Sequence, residues 1–321
     1  LVDAGFVIFR ADRSRAWPSK AALEFAAIWG TVAGVISDVD RCVDGVLVRE
    51  ISTHLEPVGR TKGGAKRLRE NLGHAFKGVN INGLGFLMPA QDAESHVARR
   101  PEDRSVLKPY FVGATLNESP GPDTNRWIVD FNGRDEAAAT RHSELFEYVR
   151  ERVPRQRRHL SATKPRLVAQ WWLFEANAVK LRKAIEDLTQ VLAMAVLSDT
   201  QMPIRVPTSY VMSQDAIVFA TESYGDQAVL SSFVHVYWAM VYGSTLETRI
   251  RYTPSSVFET FPRPNVSEGL DTIGRVLDTE RREIMLRRQL GLTKLYNLVN
   301  DPGLPAGVDA DVDRMRQIHV E

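Results

Sequence analysis

Apolar and polar positions along this chain repeat with two periods. Short apolar or alternating runs predict strands over residues 5–11, 127–131, 191–197 and 216–220. Three-to-four spacing predicts a helix over residues 135–153, with Leu145, Tyr148 and Val149 on one stripe, and another over residues 179–188. Near the end, Ile273, Val276, Leu277, Ile284 and Leu290 mark a long amphipathic helix over residues 270–290. Shorter helices follow over residues 292–300 and 312–319, with a turn-rich link at 300–305. Asp44-Gly45 predicts a hairpin turn between VDRCV and VLVRE. Residues 77–86 are rich in turns, residues 101–120 read mostly as loop with Tyr110 and Phe111 as anchors, and residues 203–208 read as loop. A β-rich module framed by helices is the expected result, an α+β chain.

Residues 231–264 combine these patterns most tightly. Leu230, Phe233 or Val234, Tyr237 and Val241 share one helical face, and Gly243 is a candidate left-handed stop. A charged, extended run follows. Its Glu247, Arg249 and Arg251 are two apart, so in a strand they point the same way. Pro254, Pro262 and Pro264 stiffen the exit. The arrangement fits either a solvated edge strand or a rigid polar row that reads a ligand.

Composition narrows the choice. The chain has 321 residues, 44% hydrophobic and 25% charged, with a formal net charge of +1. Any nucleic-acid surface is therefore a local patch, not a property of the whole chain. Two patches stand out. Residues 61–69, TKGGAKRLR, are glycine-rich and hold Lys62, Lys66, Arg67 and Arg69, without the Gly-Lys-Ser/Thr ending of a phosphate loop. Residues 150–166 hold Arg150, Arg152, Arg155, Arg157, Arg158, Lys164 and Arg166 against the single acid Glu151. Such runs are solvated faces or sites of DNA backbone contact.

The chemistry that is missing matters as much. Cys42 is the only cysteine, which excludes an internal disulfide and a multi-cysteine zinc site. The histidines show no paired metal-ligand spacing, and no nucleophile elbow appears. No apolar run approaches the roughly 18 residues of a membrane span. There is no Pro-Pro pair, hence no Asn-Pro-Pro-Tyr-like methyltransferase motif, and no glycine-rich S-adenosylmethionine loop.

Several segments, in order, resemble MmeI-like DNA methyltransferases, the single-chain type IIL restriction–modification and phage-defence enzymes. They are NGLGF (82–86), VLKPYFVGATLNESP (106–120), WIVDF (127–131), FEYVRERVPRQR (146–157), WWLFE (171–175), WAMVYGS with RYTPSSVFETFPRP (238–264), and GLTKLYNLVNDP (291–302). The resemblance makes residues 22–31 a further strand and Trp17-Pro18 a turn. It implies three regions: 1–75, joining a methyltransferase domain outside this segment; 76–264, the DNA target-recognition domain; and 265–321, a C-terminal helical region. It implies recognition of double-stranded DNA, with Glu247, Arg249 and Arg251 reading bases and Lys62, Lys66, Arg67, Arg155, Arg157, Arg158 and Lys164 on phosphates. No catalytic or metal-binding residue is expected here. S-adenosylmethionine and adenine methylation belong to the methyltransferase domain of the same parent protein, since the segment reads as part of a longer, cytoplasmic, non-membrane protein. The alternative is a protein-interaction scaffold for defence-system subunits that no longer reads DNA.

Overall fold

The computed structural model describes residues 5–16, 24–32, 35, 40–51, 55, 65–121, 124–246 and 249–321. The chain divides into two compact units, residues 1–66 and 67–321. In the first, the strand Phe6–Ala16 pairs antiparallel with Glu24–Val32 and parallel with Arg41–Val43. Arg41–Val43 turns back into Val46–Val48 through Asp44 and Gly45, whose φ values of 49° and 84° are the positive pair a two-residue hairpin needs. Ile8, Ala11 and Val43 form the buried cluster of this unit. Trp17-Pro18 and Lys62 lie outside the described residues.

The second unit is built on a four-stranded antiparallel sheet in the order Ile204–Pro207, Gln190–Ala195, Ala216–Phe219, Ala75–Lys77. Its strand Gln190–Ala195 is apolar on both faces because both faces are covered. Leu192 and Met194 pack with Leu230, Tyr252 and Phe258, while Val191 and Ala193 pack with Leu116 and Leu181. Residues 203–208, expected as loop, contain the strand Ile204–Pro207, with Val206 buried on the Leu181 side. A second sheet runs Val211–Met212, Leu107–Phe111, Arg126–Val129, Leu87–Pro89. Here too a predicted loop is ordered: Leu107–Phe111 is a strand with Leu107, Tyr110 and Phe111 buried, and Gly113–Glu118 a short helix. Lys108 and Pro109 interrupt the apolar pattern, which hides the strand from periodicity.

The helix expected over 135–153 is two, Glu136–Thr140 and Ser143–Arg157. Leu145, Val149, Val153 and Arg157 follow at steps of four and line its buried face. After residue 264 the chain is helical: Glu268–Arg288, Leu292–Val299 and Ala310–Val320 close around Leu277, Ile284, Leu295, Tyr296 and Met315. Two glycines let this bundle approach the helices Tyr224–Leu230 and Gly113–Glu118. A Cβ on Gly274 would stand 3.2 Å from the Tyr224 Cα, and one on Gly291 would stand 2.6 Å from the Glu118 Cα. The whole is α+β, a mixed-sheet domain framed by helices with a helical C-terminal region.

Candidate nucleic-acid interface

The strand Arg249–Arg251 sits in the middle of a three-stranded antiparallel sheet, between Leu197–Ser198 and Ser244–Leu246. Ile250 packs against the core while Arg249 and Arg251 are exposed, as strand alternation requires. Glu247 lies outside the described residues.

What holds this strand is a network of buried polar groups. The Tyr252 N–H donates to the Val196 carbonyl (2.8 Å), and its buried hydroxyl meets His235 Nε2 at 2.9 Å. Asn71 Nδ2 donates to the carbonyls of Phe258 (3.0 Å) and Phe261 (2.7 Å), and Asn71 Oδ1 accepts from Arg263 Nε (2.8 Å). Trp238 Nε1 donates to Thr260 Oγ1 at 3.0 Å. The exit segment is therefore anchored by hydrogen bonds as well as by its prolines.

Two expectations about the preceding helix change. Helix Phe233–Tyr242 buries His235 and Ala239, whereas Phe233, Val234, Tyr237 and Met240 are more than half exposed. The helix is apolar nearly all round, so three-to-four spacing fits several phases and does not select the buried one. Gly243 is extended, with φ of −72°, not left-handed. It is glycine because a side chain would run into the Ala239 carbonyl and come within 3.2 Å of Ile250 Cγ2.

Beside the strand opens a groove of about 760 Å³. Ala195, Val196 and Leu197 contribute to its lining; Arg249 and Arg251 meet Lys77, Arg126, Glu118 and Asp215 around it, four cations to two carboxylates. Among the described residues, Lys77, Arg126 and Arg251 have no ion-pair partner. One wall is the tight turn at residues 213–215. Gly113 lets a helix end approach it, since a Cβ there would stand 2.6 Å from the Asp215 carbonyl oxygen. The Gln214 N–H donates to Val79 (2.8 Å), and the Val79 N–H to Met212 (2.8 Å). The groove thus has walls held by backbone hydrogen bonds and carries exposed, charged side chains.

The basic stretch at 150–166 divides sharply. Arg157, expected on phosphate, is 1% exposed. Its guanidinium donates to the carbonyls of Ile81 (2.6 Å), Asn82 (2.9 Å), Trp171 (3.1 Å) and Leu173 (2.9 Å). NGLGF, the arginine-rich helix and WWLFE are the segments it joins, so it is a structural hub that cannot reach a phosphate. Gly85 allows the same packing, as a Cβ would stand 2.8 Å from Arg152 Cβ. Lys164 pairs with Glu175 at 2.6 Å, and hydrogen bonds from Lys164 and Asn82 hold the Glu175 carboxyl below its usual pKa. Arg67 pairs with Glu259. Lys66, Arg155 and Arg158 are exposed and, among the described residues, unpaired.

A further cluster was invisible to spacing. Asp103, fully buried, accepts from His96 Nε2 and His142 Nδ1, each at 2.6 Å. Burial raises its pKa, but the hydrogen bonds from the two rings together with neighbouring positive charge, Arg100 included, leave it lowered. The cluster ties helix Ala90–Arg99 to the start of helix Ser143–Arg157. Among the described residues no set of three His, Cys, Asp or Glu is arranged to hold a metal ion.

A mixed-sheet α+β domain with an open, cation-lined groove is the class these features define. Residues 65–265 match the family described as "MmeI, target recognition domain", more than half of the chain, and the chain belongs to that family. The fold is similar to a solved structure of the type IIL restriction-modification enzyme MmeI in complex with DNA, with a TM-score of 0.70 and 17% identity. That similarity covers 99% of this chain and 43% of the other, so the chain spans less than half the length of that enzyme. No curated protein matches the chain.

Proposed function

We propose that this chain recognises a specific duplex DNA sequence for an S-adenosylmethionine-dependent adenine methyltransferase of a restriction–modification or phage-defence system. The observation that carries the reading is the groove: its cations surround a rigidly held strand, inside a domain of the target-recognition family. In this reading Arg249 and Arg251 donate to base-edge acceptors in the major groove, and Glu247 accepts from a cytosine amino group. Exposed lysines and arginines grip phosphates and set register. Methyl transfer falls to the methyltransferase domain of the parent protein, which holds S-adenosylmethionine and must extrude the target adenine. The site of action is the cytoplasm; among the described residues no helix is long and apolar enough to cross a membrane.

The test uses the full-length parent. Exchanging Glu247→Lys together with Arg249→Asp is expected to change the preferred base at one position of the methylated site, each lost bidentate contact costing ~1–3 kcal/mol of discrimination. Methylome sequencing that returns the original site at undiminished level would remove these residues from base readout. The exposed apolar face of helix Phe233–Tyr242 favours a second reading, contact with another protein such as a defence-system subunit. Absence of salt-dependent duplex binding would leave that scaffold reading in place of the first.

A further inference from the structure

Where helix Glu268–Arg288 meets the strand Ile204–Pro207, three arginines face one small cleft. Arg205, Arg281 and Arg282 line it with Asp278, Ser119 and Gly121. Arg205 and Arg281 are 7% and 2% exposed. Arg281 Nη2 donates to the Pro203 carbonyl at 2.7 Å. Arg205 lies over the Tyr224 ring at 3.6 Å, and its Nε donates to Gln227 at 3.0 Å. Its Nη2 is buried and has no hydrogen-bond partner.

Asp278 does not meet that need. Its Oδ1 accepts from Gln227 Nε2 (2.9 Å) and its Oδ2 from Arg282 Nη2 (2.5 Å), leaving Arg205 Nε at 3.9 Å. Three guanidinium charges thus face one carboxylate among the described lining residues. A buried donor with no acceptor, beside two further guanidinium groups and a single lining carboxylate, is costly unless something fills the cleft. The cleft gives the centre of a water molecule about 30 Å³ to move in, at least twice the ~10–15 Å³ that one water requires. A fork of planar donors suits a multi-oxygen anion better than a single water.

We propose that this cleft binds a phosphate-type oxyanion, supplied free or by a nucleic-acid backbone. The guanidinium groups of Arg205 and Arg282 hold it, beside Arg281, whose Nη1 and Nη2 are already engaged by the Tyr296 hydroxyl (3.5 Å) and the Pro203 carbonyl. Burial, opposed by the Asp278 charge, keeps the Arg205 pKa below its ordinary value, and a bound anion reverses that shift. The place in the fold gives the site a role. Glu118 lines the groove, and the next residues, Ser119 to Gly121, line the cleft. The C-terminal helical region thereby contributes cations at the end of an element that borders the groove.

Thermal unfolding of the chain tests this. Potassium phosphate at about 50 mM is expected to raise Tm by about 3 °C over potassium chloride of equal ionic strength. Arg282→Ala takes the partner from Asp278 Oδ2 and lowers Tm in both salts, but it removes most of the difference between them, and Arg205→Gln removes all of it. No gain in the unaltered chain, or an equal gain in Arg282→Ala, overturns the proposal. Saturating duplex DNA identifies the source. A phosphate response that vanishes with duplex assigns the cleft to the backbone, and one that persists assigns it to free anion. Duplex that leaves Tm unchanged counts against DNA recognition and not against the anion site.

Discussion

Arg157 occupies the middle of the most basic stretch, yet its guanidinium faces inward onto carbonyls of NGLGF and WWLFE. Burial pulls its pKa down to about 10, so it remains charged at neutral pH. A charge count treats it like Arg155 and Arg158, because composition says nothing about which side of a helix turns in. The phase was legible, though: Leu145, Val149, Val153 and Arg157 follow at steps of four, and Arg157 continues the apolar stripe. Arg157→Met leaves several carbonyls without donors and is expected to lower the unfolding free energy by about 3–5 kcal/mol in urea titrations. Arg155→Ala with Arg158→Ala should stay within about 0.5 kcal/mol of the parent. Equal destabilisation by the two changes would mean that Arg157 is not the hub described.

At the scale of elements, runs with one clear period were legible and those with mixed periods were not. The doubly covered strand Gln190–Ala195 and the long helix Glu268–Arg288 follow from their patterns. The strands Leu107–Phe111 and Ile204–Pro207 did not, since charge and proline break their alternation and partners distant in sequence make them. Helix Phe233–Tyr242 was legible as a helix but not in its orientation. Its buried face is fixed by His235, whose Nδ1 meets the Leu230 carbonyl at 2.8 Å and whose Nε2 meets Tyr252.

Burial lowers the His235 pKa to about 4, partly opposed by the Leu230 carbonyl. The unfolded chain takes up this proton near pH 6.5, and the folded chain only near 4. Stability from His235 is therefore complete above pH 6.5 and is lost as pH falls from there toward 4, at no more than about 1.4 kcal/mol per pH unit. His235→Gln should reduce the slope of the stability profile across that window, leaving the part due to His319, whose pKa burial also lowers to about 4. Profiles of equal slope in the variant and the parent would show that the ring is not held neutral.

The groove belongs to the scale of the whole molecule. Arg249 and Arg251 were legible from two-residue spacing. Lys77, Arg126 and Asp215 come from separated segments that meet only through three sheets, so no local pattern marked them. Tertiary placement also revises the phosphate-binding set. Of the expected cations, Lys66, Arg155 and Arg158 are exposed and unpaired among the described residues, Arg67 and Lys164 are held by carboxylates, and Arg157 is buried. Each cation on a phosphate adds about 0.9 to the slope of log affinity against log salt. Changing Lys66, Arg155 and Arg158 together to Ala should therefore reduce that slope by about 2.7, shrinking the affinity lost between about 50 and 200 mM salt roughly 40-fold. The loss of binding should be the same for every duplex sequence, because phosphates carry no sequence information. Fluorescence anisotropy with a cognate and a scrambled duplex across a salt series measures both quantities. An unchanged slope would place the backbone grip elsewhere, with Lys77 and Arg126 at the groove the next residues to replace. A sequence-dependent loss would instead put one of the three against a base.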